Sequence, residues 1–149
     1  MYKNLFRGKP KDKNIYKVFS QHFKYSCNNN FVFGSLLVDN DGKSYICVNV
    51  SCIDKTSCVN NGMVSMIEVE PETVGRYTGA KDNKGRLIYE NDIIEEGCNG
   101  LRSIVVWDEE EFTYKLKGLG IGYEIKNAHI EWENIGNIFD NPDLIEGEF

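Results

Sequence analysis

Residues 31–50 read FVFGSLLV, then DNDG, then KSYICVNV. The outer blocks are rich in β-branched and aromatic residues, which suit a pleated, half-buried surface. The block between them ends in Asp41-Gly42, and glycine supplies the positive φ that tight hairpin turns need. The stretch therefore predicts a β-hairpin with Phe31–Val38 and Ser44–Val50 as its strands. Apolar residues fall on both faces of the returning strand.

The same pattern recurs outward from this hairpin. Met63–Val69 predicts a further strand, stopped by Pro71. Thr73–Gly79 is short and punctuated by glycine, and Asp82-Asn83-Lys84-Gly85 reads as a second tight turn. Ile93–Glu96 and Leu101–Trp107 predict strands, joined by a turn at Gly97–Gly100. Asp108–Glu111 reads as a turn. Beyond it Phe112, Tyr114 and Leu116 alternate with Thr113 and Lys115, the signature of a half-buried strand. Lys117–Gly122 is a glycine-rich connection. Tyr123–Ile125, His129–Trp132 and Ile135–Phe139 are short strand candidates. Upstream, Lys9–Asn14 reads as a solvated turn and Cys27–Asn30 as a loop. Ile15–Phe23 fits a strand and a short helix equally well. The expected fold is all-β, in two associated parts. Residues 1–70 form a hairpin-based N-terminal part. Residues 71–149 contain five short strands at close spacing, which predict a small SH3-like barrel.

Composition narrows the function classes. The chain has 149 residues, 41% hydrophobic and 27% charged, in the range of ordinary globular proteins. It contains no apolar run long enough for a membrane span. Residues 1–17 are basic and polar, with no apolar core of a signal peptide. A cytoplasmic protein is expected. The five cysteines (27, 47, 52, 58 and 98) are then expected as reduced thiols, and the Asn49-Val50-Ser51 sequon as chance. Residues 1–75 carry nine Lys and Arg against seven Asp and Glu, whereas residues 76–149 carry eight against sixteen. An acidic chain is a poor general binder of nucleic acid, although a local basic patch remains open.

No residue set points to catalysis or to a cofactor. Cys47, Cys52 and Cys58 lack the close pairs that structural zinc uses. Cys47 lies in an apolar strand and reads as a small core residue. His22 and His129 have no obvious nucleophile partner, and a structural role is the plainer reading of each. Asp39-x-Asp41-Gly42 begins like a calcium loop, but Val50 stands where an EF-hand needs Glu. Glu95-Glu96 and Asp108–Glu111 read as solvated acidic runs. Gly118–Gly122 lacks the lysine and helix of a phosphate loop. The candidate interaction patch is the basic N-terminus, Lys3, Arg7, Lys9, Lys11 and Lys13, interleaved with Tyr2, Phe6 and Tyr16. Such a pattern can neutralise phosphates and stack bases. The plain alternative packs Phe6 and Tyr16 into the sheet.

Four segments, in order, resemble the YopX family of phage and prophage proteins. They are Leu5-Phe6-Arg7-Gly8-Lys9, Phe31–Leu37, Val69–Gly79 continued by Asp82–Gly85 and Ile88–Ile94, and Ile135–Leu144. Residues 10–30 are longer than the usual link between the first two segments. Asn91 stands where the family usually has Gly, and both residues tolerate a left-handed backbone. A positive φ at Asn91 is therefore expected. The resemblance implies one YopX-like domain over residues 1–149, an all-β architecture, a mobile-element origin and self-association. It implies no activity and no cofactor. The leading expectation is a non-enzymatic accessory protein acting on a host or phage protein. The alternative is a nucleic-acid-associated protein, or an acidic decoy of a host DNA-binding protein.

Overall fold

The hairpin that the sequence announces is present with the expected limits. The computed structural model describes residues 6–22, 27–50, 63–118, 123–125 and 131–146. The chain divides into two compact units, Met1–Val74 and Gly75–Phe149.

In the first unit, β1 (Phe6–Gly8), β2 (Cys27–Asn28), β3 (Phe31–Val38), β4 (Ser44–Val50) and β5 (Met63–Val69) form an antiparallel sheet. Its order is β5-β4-β3-β1, with β2 also on β3. The β3–β4 turn closes through Gly42 N–H to the Asp39 carbonyl (3.1 Å), and Gly42 has φ of 80°. Asp39 Oδ1 accepts the N–H groups of Asp41 and Lys43, both at 2.9 Å. Leu36, Ile46 and Ile67 line up across three strands. They join Phe19, Val32, Val48 and Val69 in the core. Gly34 is required there, because a Cβ on it would lie 2.1 Å from the Cys47 carbonyl oxygen.

Two local expectations are corrected. Cys27–Asn30 is a strand and a turn, not a loop. Cys27 and Asn28 pair with Val32 and Phe31, while Asn29 and Asn30 take φ of 48° and 63°. Two consecutive left-handed residues make the tight turn whose twist matches a hairpin. The ambiguous segment at 15–23 resolves as helix α1, Lys13–His22. Asp12 Oδ1 accepts the Asn14 N–H at 2.8 Å and so caps the first turn. Tyr16 and Phe19, three residues apart, turn one helix face to the core. The Tyr16 hydroxyl also accepts the Asn30 N–H at 3.1 Å, which ties the helix to the β2–β3 turn.

The second unit contains β6 (Gly75–Lys81), β7 (Leu87–Tyr89), β8 (Asp92–Glu96), β9 (Arg102–Asp108), β10 (Thr113–Gly118), β11 (Tyr123–Glu124) and β12 (Trp132–Asn137). The glycine-punctuated stretch at 73–79 is therefore mostly strand. The β6–β7 turn repeats the β3–β4 turn: Gly85 N–H meets the Asp82 carbonyl at 3.0 Å, and Gly85 has φ of 78°. The two strands expected at 129–132 and 135–139 are one, β12. It continues through a register shift between Asn134 and Gly136 where it pairs with β8. Residues 119–122 and 126–130, where the glycine-rich connection and His129 fall, lie outside the described residues. The remaining strands run β11-β10-β9-β8-β12. Among the described residues this path is open, with β11 and β12 at its ends. Ile88, Ile94, Val105, Leu116, Ile125 and Trp132 form the core of the unit. The protein is thus mostly β, built on antiparallel sheets with one short helix.

Asn91 has φ of 69°, as its place in the sequence implies. Its N–H donates to the Val105 carbonyl (2.9 Å), and its carbonyl accepts from the Ile138 N–H (3.1 Å). The backbone at Asn91 thus links β9 to the segment after β12. Asn91→Gly is expected to leave stability within about 0.5 kcal/mol of the parent, whereas Asn91→Ala costs about 1 kcal/mol, since the left-handed region penalises a Cβ. Gly34→Ala costs at least about 2 kcal/mol through overpacking. Urea denaturation of the three variants checks this ranking.

Candidate functional site

Four of the five basic residues singled out in the sequence fall within the described residues; Lys3 does not. Arg7 on β1 is only 6% exposed. Its guanidinium stacks 4.3 Å from the centroid of the Phe31 ring, and Lys9 Nζ lies 5.0 Å from the same ring. Such cation–π contacts hold the strand terminus rather than offer charge to a ligand. Lys11 Nζ pairs with Glu68 Oε1 at 3.1 Å, and that hydrogen bond raises its pKa above the ordinary lysine value. Lys13 is exposed at the start of α1, as is Lys17 one turn later. The structure therefore gathers Arg7 and Lys9 on one ring and leads the other two elsewhere. Phe6 and Tyr16 pack against the core.

The most constrained polar cluster is in the second unit. The Asp82 side chain is 0% exposed. Its Oδ1 accepts the N–H groups of Lys84 (2.9 Å) and Arg86 (2.8 Å). Its Oδ2 accepts Arg86 Nε (2.7 Å) and the Asn134 N–H (3.1 Å). Burial alone would raise the pKa of this carboxyl. The donors from Asn134, Arg86 and Lys84 outweigh burial and hold it below the ordinary aspartate value. Asp92, 1% exposed, accepts the Tyr89 N–H (2.8 Å) and Asn134 Nδ2 (2.7 Å) through Oδ2. Outside this pair, Glu133 Oε1 accepts from Lys84 and from Arg86 Nη2. These carboxylates are aimed at their own chain. Asp82 and Asp92 brace turns.

The thiols are similarly placed. Cys27 packs against the first core, and burial pushes its thiol up to about 11, so it is protonated and a weak nucleophile at neutral pH. Cys47, expected in the core, is a half-buried residue on the other face of β4, in register with Ser35 and Met66. The alternation of β4 puts Ile46 and Val48 inward instead. Cys98 donates its thiol to Glu131 Oε2 at 2.7 Å, which raises its pKa. Cys52 and Cys58 lie outside the described residues. Among the described residues, no three His, Cys, Asp or Glu side chains are grouped to hold a metal ion. Also among them, no helix is long and apolar enough to cross a membrane.

One surface was not visible in the sequence. The β9–β10 hairpin pairs Val105 with Leu116 and, further along the same face, Trp107 with Tyr114. Tyr114 still packs against the core, while Trp107 opposite it is turned toward solvent. The two rings meet edge-on with centroids 4.9 Å apart, and Trp107 is 38% exposed. Phe112 does not begin β10. It sits in the turn with φ of 52° and is 78% exposed. Asp108 Oδ1 shapes that turn by accepting the N–H groups of Glu110 and Glu111, both at 2.9 Å. Lys115 Nζ bridges Asp108 and Glu111 at 2.8 Å each, while Glu109 and Glu110 face solvent. The clue in the sequence is Trp107 and Phe112 flanking an acidic run, a place where the alternating pattern no longer means burial.

Among the described residues the chain is mostly β, the buried carboxylates Asp82 and Asp92 accept backbone N–H groups, and the exposed aromatics Trp107 and Phe112 lie on one hairpin. The chain belongs to the YopX protein family, whose model matches residues 6–146. A search of curated proteins finds no match.

The Asp82 bonds set a pH dependence. Asp82→Ala leaves the Lys84, Arg86 and Asn134 N–H groups without their acceptor and costs on the order of 3 kcal/mol. Because the folded pKa is lowered, the contribution of the carboxylate is full above the unfolded value, about pH 4. It is lost as pH falls through the lower folded value. The stability difference between wild type and Asp82→Asn therefore shrinks in acid. Urea melts of both proteins at neutral and acid pH measure it, and a difference constant with pH contradicts the assignment.

Proposed function

We propose that this protein is a non-enzymatic accessory protein of a phage or prophage. It works in the host cytoplasm by protein–protein contact, without a cofactor, and self-associates. The observation that carries this reading is the β9–β10 hairpin, with Trp107 and Phe112 exposed beside Glu109 and Glu110. Exposed aromatics on a defined turn are typical anchors of protein interfaces. An acidic rim repels phosphates and so favours a protein partner over nucleic acid. The mobile-element origin is what membership of the YopX family supports. The strand order of the second unit is read here as an SH3-like barrel, a frame common to many contact modules.

A pull-down of the tagged full chain from host lysate, run with and without nuclease, tests the reading. Recovery of a stoichiometric protein that survives nuclease is the expected result. Nucleic acid alone, with nothing left after nuclease, overturns it. That outcome shifts the working surface to the exposed lysines Lys11, Lys13 and Lys17.

A further inference from the structure

We propose that the acid-rimmed aromatic tip of the β9–β10 hairpin docks on the solvent face of helix α1 of a second copy of this chain. The proposal rests on the contact reading above and gives the contact an address.

The two surfaces are complementary in both apolarity and charge. On the hairpin, Phe112 is 78% and Trp107 38% exposed. Glu109 and Glu110 stand between them in sequence. Lys115 already bridges Asp108 and Glu111, so the acids presented outward are the middle two. On α1, Tyr16 and Phe19 face the core, which leaves Ile15 48% and Val18 60% exposed. Ile15 and Val18 are three residues apart and lie together along one flank of the helix. Lys13 and Lys17, four apart and both exposed, lie along the other flank. Each surface thus offers two apolar side chains and two charges, of opposite sign on the two surfaces; on α1 the apolar pair and the lysines flank the solvent-facing Asn14. An amphipathic helix of this kind does not complete its burial within its own unit.

Phe112 adds a second argument. A bulky residue at positive φ is a costly choice in a turn, where Asn or Gly serves without strain. Here the strain holds an aromatic ring out in solvent. An outlier that leaves its side chain this exposed points to a use outside its own chain.

The test is the mass of the full chain by size-exclusion chromatography with light scattering, across a concentration series. Wild type is expected to run as a dimer that weakens with added salt. Two exposed-site variants reverse one surface each: Glu109→Lys with Glu110→Lys on the hairpin, and Lys13→Glu with Lys17→Glu on the helix. Each alone places like charges together and is expected to weaken self-association about tenfold or more. Mixed in equal amounts, the two variants carry opposite charges at both contacts, and a heterodimer is expected. Thermal melts followed by circular dichroism verify that both variants fold. A monomeric wild type, variants that associate like wild type, or a mixture no better than its components overturns the docking. If the docking falls while the pull-down recovers a nuclease-resistant protein, the contact reading stands without this address. If the charge swap succeeds and the pull-down recovers only the chain itself, the partner is the second copy.

Discussion

The second unit depends on one side chain, Asn134, held between two buried carboxylates. Asp82 takes its backbone N–H, and Asp92 takes its side-chain Nδ2. Asn134 Oδ1 in turn accepts the Gly136 N–H at 3.2 Å, at the place where β12 shifts register against β8. Three pieces of chain distant in sequence are thereby fixed: the β6–β7 turn, the tight turn into β8, and β12. Burying a carboxylate costs several kcal/mol unless donors surround it, and removal of one partner exposes that cost. Asp82 is surrounded by four donors, three of them backbone N–H groups, and two of those, from Lys84 and Arg86, are placed by the turn itself. Turn and carboxylate therefore require each other, and the geometry leaves no lone pair facing solvent for a reaction.

Much of this frame was legible in the sequence because it is written in patterns with one physical meaning. Blocks of β-branched and aromatic residues on either side of Asp41-Gly42 fixed β3, β4 and the turn between them. A non-glycine residue in place of glycine at position 91 marked a left-handed backbone, and the structure has it there. The unread parts share a cause. Asn29 and Asn30 form a hairpin turn without glycine, so nothing in the local sequence separated turn from loop. Residues 15–23 are too short for a period of 2 and a period of 3.6 to diverge. What decided for helix was the cap from Asp12 and the packing of Phe19, the second of which is tertiary. Phe112 was misplaced because a strand pattern says which face a residue is on but not where the core stops beneath it.

The segments that carry the family resemblance are concentrated where the backbone is under constraint. Gly8, Gly34 and Gly75 are positions at which a Cβ would strike a neighbouring residue within 3 Å, and Asn91 is left-handed. In the last segment, Asn137 Oδ1 accepts the N–H groups of Phe139 and Asp140, both at 3.0 Å, and Asn141 Oδ1 accepts the Asn137 N–H at 3.2 Å. These are instructions for building a chain path. Membership of the family therefore transmits a scaffold, and any activity has to be argued from what the scaffold displays.

What it displays lies between those segments. Helix α1 occupies the stretch at 10–30, which is longer than the usual link, and the aromatic hairpin occupies 107–114. Neither contains Gly8, Gly34, Gly75 or Asn91. A surface that can change without disturbing the carboxylate bracket or the glycine contacts is free to specify a partner, whereas the bracket is not. On α1, Ile15 and Val18 stay exposed while Tyr16 and Phe19 pack inward; on the hairpin, Trp107 and Phe112 stay exposed while Tyr114 packs against the core. Exposure and opposite charge set these two surfaces apart from the frame that the carboxylates and glycines hold.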